Sequence, residues 1–239
     1  FYVVLLHGEI WKSDEKGNNW EMIVKSIENI TEIVFKDNIF IVLNTDGSMY
    51  NSKDSGKTWS QIPKFDNRRW QMIATNGKNF LAVNGINTYI SSDGENWNPV
   101  PVPVFNIETE SFCFLSKFNG SYIFQVRDML KEEIITYIST DGLDWYQTNW
   151  PATLPATNGL SNIALVDSKM ITIGNFQENF KNFLYKSEDG GENWNKIEFN
   201  DNNLDSLIWG EMTSNGKIYV ATAWLDGDPE FKLSAYWSQ

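Results

Sequence analysis

The chain is built from short apolar runs that are separated by turn residues. Between residues 70 and 100 four such runs follow one another: "WQMIA" (70–74), "NFLAV" (79–83), "NTYIS" (87–91) and "NWNPV" (96–100). The breaks contain Asn-Gly and Asp-Gly pairs, which favour tight hairpin turns between antiparallel strands. No apolar pattern keeps a helical period over any length. This part of the chain is therefore predicted to form four consecutive strands, A to D.

A turn motif recurs along the whole chain, and each copy has an aromatic residue two positions before a serine. The copies, which we number box 1 to box 6, read "WKSDEKGNNW", "YNSKDSGKTW", "YISSDGENW", "YISTDGLDW", "YKSEDGGENW" and a cut-off "YWSQ". Their serines are at positions 13, 52, 91, 139, 187 and 238. A period of about 40 to 50 residues with four short strands is typical of a β-propeller blade.

The period predicts an all-β fold, with a single domain over residues 1–239. We expect a β-propeller of four-stranded antiparallel blades, with six blades, of which the first and last are incomplete. Seven blades are the alternative, because the first unit lacks a strand A and the last ends after strand C.

Each box lies at the predicted hairpin between strands C and D, and its residue types suit a turn that stabilises itself. Serine and aspartate side chains accept hydrogen bonds from backbone N–H groups, glycine allows a positive φ, and tryptophan packs over the hairpin. The residues assigned this structural role are Ser13, Trp20, Ser52, Asp54, Gly56, Trp59, Ser91, Asp93, Trp97, Ser139, Asp141, Trp145, Ser187, Asp189, Gly191 and Trp194.

These motifs resemble those of the Asp-box or BNR-repeat β-propellers, a group that includes sialidases, sortilin-type receptors, some xyloglucan hydrolases and photosystem assembly factors. Boxes 2 and 5 match the family pattern fully, boxes 3 and 4 lack one residue before the glycine, and box 1 has Glu15 in place of the aspartate. The resemblance covers the whole chain. It implies that the boxes are structural, that a ligand binds on the opposite face, and that the protein is extracellular or at the cell surface.

Composition narrows the possible partners. A formal net charge of −12 and a pI near 4.5 argue against nucleic acid or an anionic membrane as the main partner. With one cysteine, Cys113, and one histidine, His7, the chain cannot form an intrachain disulfide or a Cys/His metal centre, so we expect no metal and no cofactor. The first apolar run, residues 1–6, is too short to span a bilayer. Nothing in the sequence indicates an oligomeric state.

The loop face, opposite the boxes, is the predicted functional surface. The distance from the A–B turn to the box serine grows from 14 residues (Gly77 to Ser91) to 19 residues (Gly120 to Ser139), which we attribute to longer B–C connections. The long segments are 126–133, 175–182 and 224–232. Ligand-face candidates near strand ends are Arg69, Trp70, Trp150 and Trp224, since flat rings stack on sugars and peptides. For each tryptophan, packing between blades is the favoured role and ligand stacking is the alternative.

Catalysis is the alternative. A sialidase needs three converging arginines, but the chain has only Arg68, Arg69 and Arg127, and neighbours in an extended segment point to opposite sides. Other glycoside hydrolases need two carboxylates about 5 to 10 Å apart. The loop face offers Asp128, Glu132, Glu133, Asp226, Asp228 and Glu230.

Solvated loop charge is the simpler interpretation of these acids. "DGDPE" (226–230) could supply oxygen ligands to Ca²⁺, but its spacing does not complete an EF-hand loop and we favour a plain Asp-Gly turn. We therefore predict no catalytic residue, and a non-catalytic propeller that binds a glycan or protein partner on its loop face. The glycoside hydrolase stays as the alternative.

Overall fold

The structure of the chain is a computed structural model. It describes residues 2–4, 9–13, 19–24, 27, 29–64, 68–84, 87–102, 110–118, 120–131, 133–148, 157–166, 169–176, 182–189, 193–197, 207–214, 219–225 and 234–238. These residues fall into two compact units. The N-terminal unit comprises Tyr2–Asp14 and Asn19–Thr148, and the C-terminal unit is Asn149–Gln239 with Phe1 and Glu15–Asn18. The single domain over 1–239 stays a prediction.

The N-terminal unit contains four antiparallel sheets whose strands pair in chain order. Sheet 1 has β1 (Tyr2–Val4), β2 (Ile10–Lys12) and β3 (Glu21–Val24); sheet 2 has β4 (Ile30–Lys36), β5 (Ile39–Asn44), β6 (Met49–Ser52) and β7 (Ser60–Ile62); sheet 3 has β8 (Met72–Thr75), β9 (Phe80–Asn84), β10 (Asn87–Ser91) and β11 (Asn98–Val100); sheet 4 has β12 (Glu110–Phe118), β13 (Ser121–Asp128), β14 (Glu133–Ser139) and β15 (Tyr146–Thr148).

The C-terminal unit contains two sheets of the same kind in its described residues. Sheet 5 has β16 (Thr157–Val166), β17 (Lys169–Phe176), β18 (Asn182–Ser187) and β19 (Asn195–Lys196); sheet 6 has β20 (Leu207–Ser214), β21 (Tyr219–Leu225) and β22 (Ser234–Ser238). The all-β prediction of four-stranded antiparallel blades is confirmed. Six blades, against seven, stays a prediction.

One register is shared by five sheets. The box serine at the end of strand C pairs with the residue at the start of strand B: Ser52 with Phe40, Ser91 with Phe80, Ser139 with Tyr122, Ser187 with Met170 and Ser238 with Tyr219. Each sheet therefore has a box end, with the box and the A–B turn, and a loop end, with the B–C turn and the link to the next sheet. The described loop-end residues of the N-terminal unit are 27, 29, 44–48, 63–64, 68–71, 84, 87, 101–102 and 127–131.

The core of the N-terminal unit lies between its sheets, since alternate side chains on each strand point to opposite sheet faces. Sheets 2 and 3 bury Ile41, Phe80 and Tyr89 in one cluster, and sheets 3 and 4 bury Leu81 and Phe124 in another. In the C-terminal unit, Ile173, Leu184 and Ala221 are buried together. The short apolar run of β9 is thus buried on both faces of sheet 3, against sheet 2 and against sheet 4.

The number of residues between the A–B turn and the box serine is larger in sheet 4 than in sheet 3. Longer strands, rather than a longer B–C connection, account for most of this difference. Strands β13 and β14 have 8 and 7 residues, whereas β9 and β10 have 5 each. In the segment 126–133, residues 126–128 and 133 are in strands, and residues 129–131 form a turn. Attributing the growth to the connections was wrong for sheet 4, because the added residues extend the hydrogen-bonded ladder.

Candidate binding face

Box 2 forms the self-capping turn that its sequence predicts. Ser52 Oγ donates to Asp54 Oδ1 (2.8 Å) and accepts from Gly56 N (2.9 Å). Asp54 also accepts from Thr58 N (2.9 Å) and Thr58 Oγ1 (2.6 Å), and Trp59 Nε1 donates to Gly56 O (3.0 Å). The hydrogen bonds, those from Thr58 first, lower the pKa of Asp54 to about 2. The polar groups of the box are therefore occupied by the turn itself.

Boxes 3 and 4 keep this arrangement although they lack one residue. Gly94 N donates to Ser91 Oγ (2.9 Å) and Gly142 N donates to Ser139 Oγ (2.8 Å), while Asp93 accepts from Asn96 N (2.8 Å). In box 5 Asp189 accepts from Asn193 N (2.9 Å), which is the main cause that lowers the pKa of Asp189 to about 2. Glu15 and Gly191 lie outside the described residues.

The shortened boxes also contact the preceding sheet. Asn51 Nδ2 in sheet 2 donates to Gly94 O (3.0 Å), and Asn76 Nδ2 in sheet 3 donates to Thr140 O (2.9 Å). A Cβ on Gly94 would lie 3.2 Å from the side chain of Ile39. The box ends of the N-terminal unit are therefore packing elements, and no box side chain named above is left over for a ligand.

Trp70 does not present its ring at the loop end. Its side chain is 2% exposed and contacts Tyr89 edge-on, with ring centroids 5.3 Å apart, and the ring of Trp97 at 5.8 Å. The segment expected to be strand A, residues 70–74, enters β8 only at Met72. The prediction that Trp70 stacks on a ligand is therefore wrong. Trp70 is a core residue that holds the link between sheets 2 and 3.

This link, residues 63–71 with 65–67 outside the described part, exposes three cations. Lys64, Arg68 and Arg69 are exposed, and among the described residues none forms an ion pair with them. The nearby acid is Asp46, whose carboxylate accepts from Ser48 Oγ and Ser48 N (2.8 Å). These bonds, with smaller electrostatic contributions from Lys64 and Arg69, lower the pKa of Asp46. We call Lys64, Arg68 and Arg69 the cation strip.

The backbone directly after Arg69 is hydrogen-bonded to two neighbouring segments. Trp70 N donates to Gly47 O (3.1 Å), and Gln71 N donates to Val83 O (2.8 Å). Gly47 has φ +72°, and a Cβ there would lie 2.5 Å from Arg69 Cβ and 2.9 Å from Trp70 O. Only glycine fits this approach. The B–C turn of sheet 2 thus fixes Arg69 in place.

A second loop-end feature is the turn between β13 and β14. Met129 and Leu130 are 57% and 78% exposed. Asp128, itself buried, accepts from Leu130 N (2.9 Å) and Lys131 N (3.1 Å) and pairs with Lys131 Nζ (3.2 Å). These contacts, the bond from Lys131 N first, lower the pKa of Asp128. A carboxyl held ionised in this way does not suit a glycosidase proton donor.

The other candidates fall outside the described part wholly or in their side chains. Trp150, Glu132, Asp226, Asp228, Glu230 and His7 lie outside the described residues, and so does most of 175–182 and 224–232. Trp224 is in β21, where it pairs with Ile208, but its side chain is not described. The same holds for Glu133 in β14 and Cys113 in β12. Within the described ranges no three His, Cys, Asp or Glu side chains group as metal ligands. No helix among those residues could span a membrane.

Sheets of four antiparallel strands in chain order, with one shared register, define a β-propeller. The chain belongs to the family of the DUF6242 beta propeller domain, whose model matches residues 1–222. A sequence comparison with curated proteins found no match.

Three solved structures illustrate the likeness in fold. YCF48 bound to D1 peptide is 16% identical with a TM-score of 0.54, over 93% of this chain and 72% of that one. YCF48 from Cyanidioschyzon merolae is 14% identical with a TM-score of 0.57, over 93% and 88%. The GH74 xyloglucanase from Xanthomonas campestris is 13% identical with a TM-score of 0.54, over 97% and 44%. At these identities the likeness shows the fold alone, which is compatible with a non-catalytic binding scaffold.

The sequence pattern predicts Arg69 as a ligand-face candidate, but it does not predict the approach of Gly47 to the backbone of Arg69 and Trp70. Gly47 follows Asp46 in an Asp-Gly pair, which predicted a hairpin turn, and nothing in the pattern showed that this turn contacts a segment 22 residues later. The signal in the sequence for this contact is a glycine in a B–C turn together with a pair of arginines in the link that follows the same sheet.

Proposed function

We propose that this chain is a non-catalytic binding propeller that holds a segment of a partner protein at the loop end of its N-terminal unit. The observation that carries the proposal is the contrast between the two ends of the sheets. At the box ends of sheets 2 to 4, the serine and aspartate side chains of each box bond within their own turn, and Asn51 and Asn76 bond to the neighbouring sheet. At the loop ends the cation strip is exposed, and the backbone that follows Arg69 is hydrogen-bonded to neighbouring segments.

A protein partner is favoured over a glycan by the described loop-end residues. Sugar sites usually contain an exposed aromatic ring on which the sugar stacks. Trp70, the aromatic residue of the described loop end, is in the core. A peptide, in contrast, is suited by fixed charges together with the exposed Met129 and Leu130. The structure of YCF48 bound to D1 peptide gives a precedent for a peptide on this fold.

The resemblance to Asp-box propellers supports two further parts of the proposal. The box turns serve stability rather than binding, and the protein is extracellular or at the cell surface. Both parts rest on the motifs quoted above.

The proposal is tested by selecting a random peptide library on the purified chain. We expect enrichment of peptides whose binding is competed by free protein. A photo-crosslinking residue is then placed at Thr45, exposed at the loop end, or at Lys78, exposed at the box end, as the matched control. Selected peptides should crosslink through position 45. Crosslinking only through position 78 would assign binding to the wrong face, and no enrichment would contradict the binding function.

A further inference from the structure

The three arginines of the chain are all at the loop end of the N-terminal unit. Arg68 and Arg69 are in the link between β7 and β8, and Arg127 is the residue before the last in β13. The remaining basic residues are lysines. Arginine presents a planar fork that binds a carboxylate with two parallel hydrogen bonds, whereas lysine acts as a point charge. The residue type suited to carboxylates is therefore confined to the loop end of the N-terminal unit.

The cation strip forms no ion pair with a described residue, although the chain is rich in acids. The sequence has 31 acidic and 19 basic residues, so an exposed cation has many potential partners. Among the other exposed cations, Lys53 pairs with Glu95 (2.8 Å) and Lys186 with Glu188 (3.3 Å), whereas the isolated Lys57 and Lys78 form no ion pair with a described residue. Lys64, Arg68 and Arg69 have no ion-pair partner among the described residues. The carboxylate of the neighbouring Asp46 accepts two bonds from Ser48.

We propose that the cation strip of Lys64, Arg68 and Arg69 is a binding site for an acidic segment of a partner protein, with carboxylates as the recognised groups. The proposal rests on the proposed binding function and specifies the chemistry of the partner. Gly47 and Trp70 prepare the site, since they fix the Arg69 backbone before any ligand arrives. Fixing the site in advance reduces the entropy lost on binding.

Two other anionic partners fit the observations less well. Nucleic acid requires many phosphate contacts, and a net charge of −12 would repel it from most of the surface. A glycan site usually offers an exposed ring on which the sugar stacks, whereas the ring of Trp70 is packed against Tyr89 and Trp97. A protein segment needs only spaced carboxylates and a few apolar side chains.

The experiment measures binding of a fluorescent peptide of alternating glutamate and alanine to the purified chain by anisotropy at low salt. The counterpart with glutamine in place of glutamate should not bind. The double variant Arg68→Gln/Arg69→Gln should weaken binding at least about tenfold, the effect of one lost charge-assisted hydrogen bond. Lys57→Gln/Lys78→Gln removes the same charge at the box end and should change affinity less than about twofold, which corresponds to ~0.4 kcal/mol.

Further measurements separate the effect of the planar arginine side chain from the effect of its charge. Arg69→Lys keeps the charge but loses the fork, so its affinity should fall between those of the wild type and the double variant. Unchanged circular dichroism and melting temperature show that each variant is folded. An oligouronate or oligothymidylate that binds more tightly than the peptide at matched charge would overturn the protein assignment.

The outcome is distinguishable from failure of the proposed function. Selected library peptides that lack acids and bind the double variant normally would overturn this inference and leave the binding function standing. Equal loss in the two double variants would show a response to net charge only, which also overturns the site.

Discussion

Single residues decide whether neighbouring segments of this propeller can approach each other. Gly47 is necessary for two reasons, its positive φ and the closeness of Arg69, whereas Gly77 has φ +86° and no atom within 4 Å of a Cβ built on it. The two glycines look alike in the sequence, each following an acidic or amide residue in a turn. Only the contact with a distant segment in the folded structure distinguishes Gly47, which packs against Arg69, from Gly77, which serves a turn alone.

The paired substitutions Gly47→Ala and Gly77→Ala separate the two effects. Both introduce an alanine in the left-handed region, which costs about 1–2 kcal/mol. Gly47→Ala must in addition displace the Arg69–Trp70 backbone, an overpacking cost of about 1–3 kcal/mol. Urea unfolding followed by tryptophan fluorescence should therefore show the larger loss for Gly47→Ala. Equal losses would mean that the close approach has no energetic weight.

The elements of the fold were predicted better than the site, for a physical reason. Box hydrogen bonds join residues within four positions of each other, so a local pattern contains them, and the strand "NTYIS" (87–91) is β10 as predicted. The ligand-stacking role predicted for Trp70 was wrong because its burial depends on contacts with Tyr89 and Trp97, which are distant from it in the sequence. The cation strip depends on Gly47, in another sheet, and long-range contacts of this kind leave no period in the sequence.

The lowered pKa values of the box aspartates predict how the stability of the fold changes with pH. Hydrogen bonds from Leu143 N (2.8 Å) and then Asp144 N (3.0 Å) lower the pKa of Asp141 below the ordinary value of 3.8. A folded pKa below the unfolded one means that the stabilisation is complete above the ordinary pKa and is lost as pH falls through the folded value. With Asp54 and Asp189 at about 2, urea midpoints should fall between about pH 4 and 2.

Box 4 contains its own control for this pH dependence. Asp141→Asn removes the carboxylate that accepts three hydrogen bonds and should flatten the decline in urea midpoint between about pH 4 and 2. Asp144→Asn removes a neighbouring carboxylate that accepts no hydrogen bond from a described residue, and should leave the decline unchanged. Identical curves for the two variants would contradict the assignment of acid sensitivity to the box turns.

At the scale of the whole molecule, the two compact units follow one building plan. Sheets 2 to 4 of the N-terminal unit and sheets 5 and 6 of the C-terminal unit share the pairing of the box serine with the start of strand B. The family model crosses both units, from residue 1 to residue 222. We therefore expect the chain to unfold as one cooperative domain, as predicted from the repeat.

A core substitution in the C-terminal unit tests this cooperativity. Leu184 is buried with Ile173 and Ala221, and Leu184→Ala should cost about 2–5 kcal/mol through the cavity it leaves. If the chain is one cooperative domain, amide exchange of Leu81 in the N-terminal unit should accelerate by the same free energy as that of the C-terminal strands. The exposed Leu143→Ala is the matched control and should alter neither. Faster exchange confined to β17 and β18, with Leu81 unaffected, would show that the two units unfold independently and would contradict the single domain.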